Sequence, residues 1–167
     1  MTRETYIRMI GTTRKLLSCL PGGKIWLRVP TLVCAGAYML ALLDLMLARD
    51  LRLIRVLLVP AACFVLCTIL RPIIGRQRPY DHFAAEPVGS YKPGKGRSMP
   101  SRHTASAAAI ALAVAYAFPS PLLIACMALL CAVIAGLRVV CGQHYPSDVL
   151  AALLLSSIIS LIGYVLI

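Results

Sequence analysis

Five apolar stretches, each long enough or nearly long enough to cross a bilayer, follow one another along this chain, over residues 30–48, 53–70, 104–118, 121–137 and 149–167. A span takes roughly 20 apolar residues, within a range of about 17–25. Lipid offers no partner for backbone N–H and C=O groups, so a chain that buries such stretches in a bilayer must make them helices. The expected fold is all-α: a polytopic membrane helix bundle of about five transmembrane helices in one membrane-embedded domain covering residues 1–167. Composition agrees, since 60% of the residues are hydrophobic and 14% charged, against roughly 45–50% and about 25% in soluble domains. Secreted disulfide scaffolds, coiled coils, disordered tails and most soluble enzymes are excluded.

The stretches over 104–118 and 121–137 are short, and residues 100–103 and 139–141 are expected to lengthen them, with Pro119-Ser120-Pro121 as the tight turn between. Ahead of the first span, Tyr6, Ile7, Ile10, Leu16 and Leu17 interleave with Arg3, Arg8, Arg14 and Lys15. That pattern suits an amphipathic helix lying in the membrane interface. It lacks the continuous apolar core and small-residue cleavage site of a signal peptide. Pro21-Gly22-Gly23 ends it, so residues 1–23 read as interfacial helix and hinge.

Seventeen Lys+Arg against six Asp+Glu leave a formal charge of +11, a surplus that would suggest nucleic acid in a soluble chain. Here the cations sit between apolar runs, where they meet lipid headgroups or a phosphate held at the membrane surface, and no nucleic-acid partner is expected. The seven cysteines are odd in number and fall almost wholly inside the apolar runs. They read as small packing residues with no disulfide framework. Histidines and cysteines show no metal-ligand spacing, and neither a metal nor another cofactor is expected.

The one sizeable polar segment, residues 71–102, is broken by Pro72, Pro79, Pro87, Pro93, Gly89, Gly94 and Gly96. A loop of this length in so small a chain is usually functional. Gly94-Lys95-Gly96-Arg97-Ser98 is no nucleotide-binding loop, because the GxxxxGK[ST] spacing and the preceding strand are missing. Ionisable groups gather at the ends of the neighbouring spans: Arg71 and Arg78 after the second, Ser101 and His103 at the start of the third, and Arg138, His144 and Asp148 between the fourth and fifth. Spans running up and down place all of these on one face. Arginine's planar fork grips phosphate oxygens and stays charged, Ser101 adds a hydroxyl, and a helix start near His103 favours an anion. Taken singly, each residue has an ordinary reading: a snorkelling arginine, a histidine beside a helix cap, an aspartate capping the fifth helix after Pro146. Lys92, Lys95, Arg97 and Arg102 read as a solvated basic loop.

Taken together, Arg71-x6-Arg78-Pro79, Pro100-Ser101-Arg102-His103 and Arg138-x5-His144-x3-Asp148 resemble, in order and interval, the three signature motifs of the type 2 phosphatidic acid phosphatase family. The resemblance covers about residues 71–148, with 71–103 as its catalytic loop. It implies metal-independent phosphoryl transfer in two steps. His144 would attack phosphorus and form a phosphohistidine, Asp148 would orient it, and His103 would protonate the leaving oxygen and then help water attack. Arg71, Arg78, Arg102, Arg138 and Ser101 would bind the phosphate. Three positions depart from the usual pattern: Arg71 stands for lysine, Arg102 for glycine, and Leu137 for the serine before the third-motif arginine. The added cation at Arg102 favours a more highly charged headgroup such as a diphosphate.

The expected activity is hydrolysis of a lipid phosphomonoester or diphosphate at the bilayer surface, of the undecaprenyl diphosphate, phosphatidic acid or phosphatidylglycerol phosphate type. A lipid phosphotransferase using the same phosphohistidine and a non-catalytic headgroup-binding membrane protein are the alternatives. The expected location is the bacterial cytoplasmic membrane. Positive-inside counting draws the basic N-terminal segment to the cytoplasm, whereas the resemblance implies an active site facing outward, and outward is the reading adopted. Oligomeric state is not legible.

Overall fold

The computed structural model describes residues 1–93 and 97–166. Helix α1 (Arg3–Ser18) leads through a 3-10 turn (Gly23–Leu27) into α2 (Val29–Leu47) and α3 (Arg52–Ile74). The short α4 (Pro79–His82) precedes α5 (Arg102–Ala117), α6 (Pro121–Val140) and α7 (Pro146–Leu161), which runs on as a π-helical turn to Leu166. Every long element is helical, as lipid requires.

Residue size explains which helix sits at the centre. α5 packs against α2, α3, α6 and α7, and its Ala105, Ala107, Ala108, Ala109, Ala113 and Ala117 are all buried. Between helices in lipid the attraction is mostly close packing, and small side chains let backbones approach. The outer helices instead turn large apolar side chains outward, Leu40, Leu47, Ile73, Leu122 and Leu129 among them. Among the described residues four helical segments are long and apolar enough to cross a membrane, built on α2, α3, α6 and α7. The fifth expected span is α5, whose 16 residues extend about 24 Å, short of the roughly 30 Å of hydrocarbon. Enclosed by four neighbours, it does not need the full thickness. The expected lengthening of α6 at its end occurs, with Cys141 as C-cap, whereas α5 starts only at Arg102 because Ser101 holds the extended backbone of an N-cap.

At the end of the bundle away from the motif residues, Arg52 pairs with Asp50 at 2.6 Å and donates from Nη1 to the Ala117 carbonyl at 2.7 Å. A cation thus satisfies a carbonyl that the end of α5 leaves open. Five of the seven cysteines, Cys34, Cys63, Cys67, Cys131 and Cys141, are buried, and all seven are free thiols.

Helix α1 forms with Thr2 as N-cap and does more than lie alongside the bundle. Its Tyr6 is fully buried and donates to the carbonyls of Gly142 at 3.1 Å and Ala85 at 3.2 Å. Gly142, at φ +71°, passes so close that a Cβ there would lie 2.6 Å from the Tyr6 hydroxyl. The N-terminal helix is therefore pinned onto the turn between α6 and α7, where third-motif residues stand.

Candidate functional site

Three helix ends and one loop build the site. α3 stops at Gly75, which takes the left-handed conformation (φ +62°) and returns its N–H to the Arg71 carbonyl, an ending that glycine adopts at little cost. Arg71, in the last turn of α3, is buried and donates to the Arg97 carbonyl. Past the turn, Arg78 precedes Pro79 at the first position of α4, with its guanidinium 5.5 Å from the Tyr80 ring centre. From the end of α6, Arg138 donates to Gln143 Oε1 at 2.8 Å and Thr31 Oγ1 at 3.4 Å, and Gln143 is itself held by the Val88 carbonyl. Nε of Arg78 and Nε of Arg138 are buried without a hydrogen-bond partner among the described residues. A buried donor left open is costly unless an acceptor arrives.

These side chains open into a cavity of about 680 Å³ lined by Arg28, Arg71, Arg78, Lys92, Arg102, Arg138, His103 and His144, with no carboxylate on its wall among the described residues. Such a surface selects anions. An apolar groove of about 380 Å³ shares Thr31, Arg102 and His103 with it and continues past Cys34, Phe64 and Ile110 between the helices. A charged chamber thus joins a greasy channel at His103.

Behind the cavity wall lies the acid. His144 is 2% exposed and Asp148 fully buried, with His144 Nδ1 3.5 Å from Asp148 Oδ2. Asp148 occupies the third position of α7 and accepts the Tyr145 N–H at 2.9 Å, with Pro146 opening the helix, so it is a helix cap as well as the neighbour of His144. Burial holds the His144 imidazole below its ordinary value of 6.5, the Asp148 hydrogen bond opposes that shift, and Arg78 and Arg71 add to it. The ring is therefore neutral at neutral pH, the form that can act as a nucleophile.

Of the expected phosphate and catalytic residues, Arg71, Arg78, Arg102, Arg138, His103 and His144 meet at the cavity. Asp148 stands behind His144. Ser101 is fully buried, accepts from the Thr104 hydroxyl at 3.1 Å, gives its N–H to the Asp148 carbonyl, and is not on the cavity wall. The loop read as solvated divides: Lys92 and Arg102 line the cavity, Arg97 ties its carbonyl to Arg71, and Lys95 lies outside the described residues.

Sequence reasoning missed Arg76 and Ser98. Arg76 Nη1 donates to Asp148 Oδ1 at 2.7 Å and to Ser147 Oγ at 2.7 Å, and Ser98 Oγ donates to Asp148 Oδ2 at 2.5 Å. The one available signal was that Arg76 falls inside the interval between Arg71 and Arg78. Arg28 and Thr31 were missed because no motif includes them, and Gln143 because it is one of the unspecified positions between Arg138 and His144.

A family model described as the PAP2 superfamily matches residues 52–167. Lipid A 1-phosphatase of Rhizobium johnstonii is 39% identical over 103 residues, covering 59% of this chain and 41% of that protein. Lipid A 1-phosphatase of Rhizobium etli is 39% identical over 94 residues, covering 53% and 39%. The match therefore spans about two fifths of the length of these relatives. Among solved structures, Aquifex aeolicus LpxE superposes with a TM-score of 0.71 at 22% identity, covering 96% of this chain and 92% of that one. A PAP2 type phosphatidylglycerolphosphate phosphatase from Bacillus subtilis superposes at 0.57 with 18% identity, covering 95% and 93%. Both share the fold.

Proposed function

Starting from a chain that belongs to the PAP2 superfamily and is an integral membrane protein, we propose that it is a lipid phosphatase that hydrolyses a phosphomonoester or diphosphate through a phosphohistidine on His144. The observation that carries this reading is a single cavity in which Arg71, Arg78, Arg138, His103 and His144 meet with no carboxylate on the wall, while Asp148 supports His144 from behind.

In the first step His144 Nε2 attacks phosphorus, the bond from phosphorus to the lipid oxygen breaks, and His103 gives that oxygen its proton. In the second, a water attacks the phosphohistidine, His103 takes the water's proton, and inorganic phosphate leaves as the imidazole is restored. Arg71, Arg78 and Arg138 neutralise charge on the transferring group throughout. The open Nε groups of Arg78 and Arg138 are donors suited to its oxygens. Ser101 contributes from behind, through Thr104 and the start of α5, where free N–H groups favour an anion. No metal ion takes part in this scheme.

Substrate size follows from the two connected spaces. The charged chamber takes the headgroup, and the groove between the helices takes an acyl or prenyl chain arriving sideways from the bilayer. Arg28, Lys92 and Arg102 place more cations at the chamber than one phosphate needs, which favours a highly charged headgroup: a prenyl diphosphate such as undecaprenyl diphosphate, phosphatidylglycerol phosphate, or a glycolipid phosphate of the kind the Rhizobium relatives are named for. Phosphatidic acid would be the poorer substrate. The bundle over residues 1–167 acts as one domain, with 1–23 as interfacial helix and hinge and 71–103 as catalytic loop, in the bacterial cytoplasmic membrane with its active site facing outward.

The test is phosphate release by detergent-purified protein from a panel of lipid monophosphates and diphosphates in EDTA, for wild type and His144→Ala. Release by wild type, with a loss of about 10⁴-fold or more in the variant, is expected for removal of a nucleophile. Full activity in the variant, or no release from any lipid by folded wild type, would overturn the reading.

A further inference from the structure

We propose that Arg76 and Ser98 are positioning residues that bracket Asp148 and hold His144 in the tautomer protonated at Nδ1. The inference rests on the reading of His144 as nucleophile and goes beyond it, to what keeps the nucleophilic nitrogen free.

Hydrogen-bond capacity decides which imidazole nitrogen carries the proton. A carboxylate has about four acceptor sites, as many as the groups that converge on Asp148, and a buried one needs them satisfied. Asp148 is fully buried. Its Oδ1 receives Arg76 Nη1 at 2.7 Å. Its Oδ2 receives the Ser98 hydroxyl at 2.5 Å and the Tyr145 N–H at 2.9 Å, and lies 3.5 Å from His144 Nδ1. Ser98 Oγ is itself 3.5 Å from Nδ1. A hydroxyl has one proton, and here it goes to Asp148, which leaves Ser98 only lone pairs to offer the imidazole. Both groups facing Nδ1 are therefore acceptors. The proton belongs on Nδ1, and the Nε2 lone pair is left for phosphorus.

Arg76 fixes this arrangement from the side away from substrate. It is not among the residues that line the cavity, and its guanidinium is turned to Asp148 and Ser147 instead. Its guanidinium lies over the Tyr145 ring, 4.3 Å from the centre, and also binds Ser147 Oγ at 2.7 Å. Its carbonyl accepts the Ser98 N–H at 2.9 Å. One residue thus anchors both the charge partner of Oδ1 and the backbone that carries the hydroxyl on Oδ2. A lysine could keep the charge but could not stack and bind two oxygens with the same planar group.

The test uses the full chain in detergent, with Arg76→Gln, Arg76→Lys and Ser98→Ala. Two readouts are needed: kcat and KM on dioctanoyl phosphatidic acid and on farnesyl diphosphate, and the tautomer of His144 by ¹⁵N-histidine NMR, assigned through His144→Gln. Arg76→Gln should lower kcat by about 10–100-fold, as a misoriented nucleophile does, with KM changed less than about threefold. Arg76→Lys should recover part of that loss, and Ser98→Ala should lower kcat by about 3–10-fold. The Nδ1–H tautomer should dominate in wild type and become mixed in Arg76→Gln and Ser98→Ala. A raised KM at unchanged kcat, or an Nδ1–H population equal in all proteins, would overturn the bracket. The tautomer is read without turnover. A shift in its population with no hydrolysis by wild type would uphold the bracket and refute the phosphatase reading, whereas hydrolysis with an unmoved tautomer would do the reverse.

Discussion

The two histidines of the cavity face the same space from unlike supports. His144 is almost fully enclosed, with a buried carboxylate behind it and that carboxylate held in turn by Arg76, Ser98 and the Tyr145 N–H. His103 stands in the first turn of α5, opens into the cavity where it meets the apolar groove, and has no ion-pair partner among the described residues. A group that bonds to phosphorus must be held in one orientation. A group that hands a proton to a leaving oxygen and later takes one from water must be reachable by both. The unequal supports fit that division of labour.

Three experiments would break or sharpen this contrast. The first concerns His103, where an effect as large as any of the three is expected. His103→Ala should lower hydrolysis of an alkyl lipid phosphate by about 10²–10⁴-fold, the usual contribution of a positioned acid. With nitrophenyl phosphate, whose leaving group departs without a proton, the burst of nitrophenol should fall by only about tenfold or less. Equal losses on both substrates would remove the distinction between the histidines.

The second experiment concerns pH. Because burial lowers the His144 value below 6.5, the neutral ring persists as the solution is acidified, and the acid limb of kcat/KM should lie below that value. Asp148 opposes the shift, since its hydrogen bond favours the charged ring. Asp148→Asn should therefore move the limb further to acid while lowering the plateau by about 10²–10⁴-fold, as loss of an orienting carboxylate does. A limb displaced toward alkaline pH would contradict the assignment.

The smallest effect is expected where Gly142 meets Tyr6 of α1. Gly142→Ala forces a side chain into a left-handed turn 2.6 Å from the Tyr6 hydroxyl and should cost about 1–3 kcal/mol, read as a lower Tm in detergent. Protease cleavage within α1 should rise with it. Unchanged Tm and cleavage would mean that α1 is not fastened to the third-motif turn.

The sequence made some parts of this molecule plain and hid others for physical reasons. Hydropathy located the spans because lipid leaves the backbone no alternative to helix. Motif spacing located Arg71, Arg78, Arg138 and the two histidines because each sits at a helix end, and alternating spans bring alternate ends together. Ser101 shares a motif with His103, yet the extended N-cap backbone at Ser101 directs its side chain toward Thr104, a direction that spacing does not encode. Ser98 and Arg76 both stand outside the helices, where no helical period applies, and meet through the Ser98 N–H and the Arg76 carbonyl. Hydropathy also ranked α5 with the other spans. Its alanines, rather than its hydropathy, are what place it at the centre.

The most direct test of the central claim is to quench the reaction with a ³²P-labelled lipid phosphate within the first turnover and locate the label. A phosphoramidate on His144, labile to acid and stable to alkali and missing in His144→Ala, is the expected result. Label on another residue, or turnover with none on the protein, would contradict it.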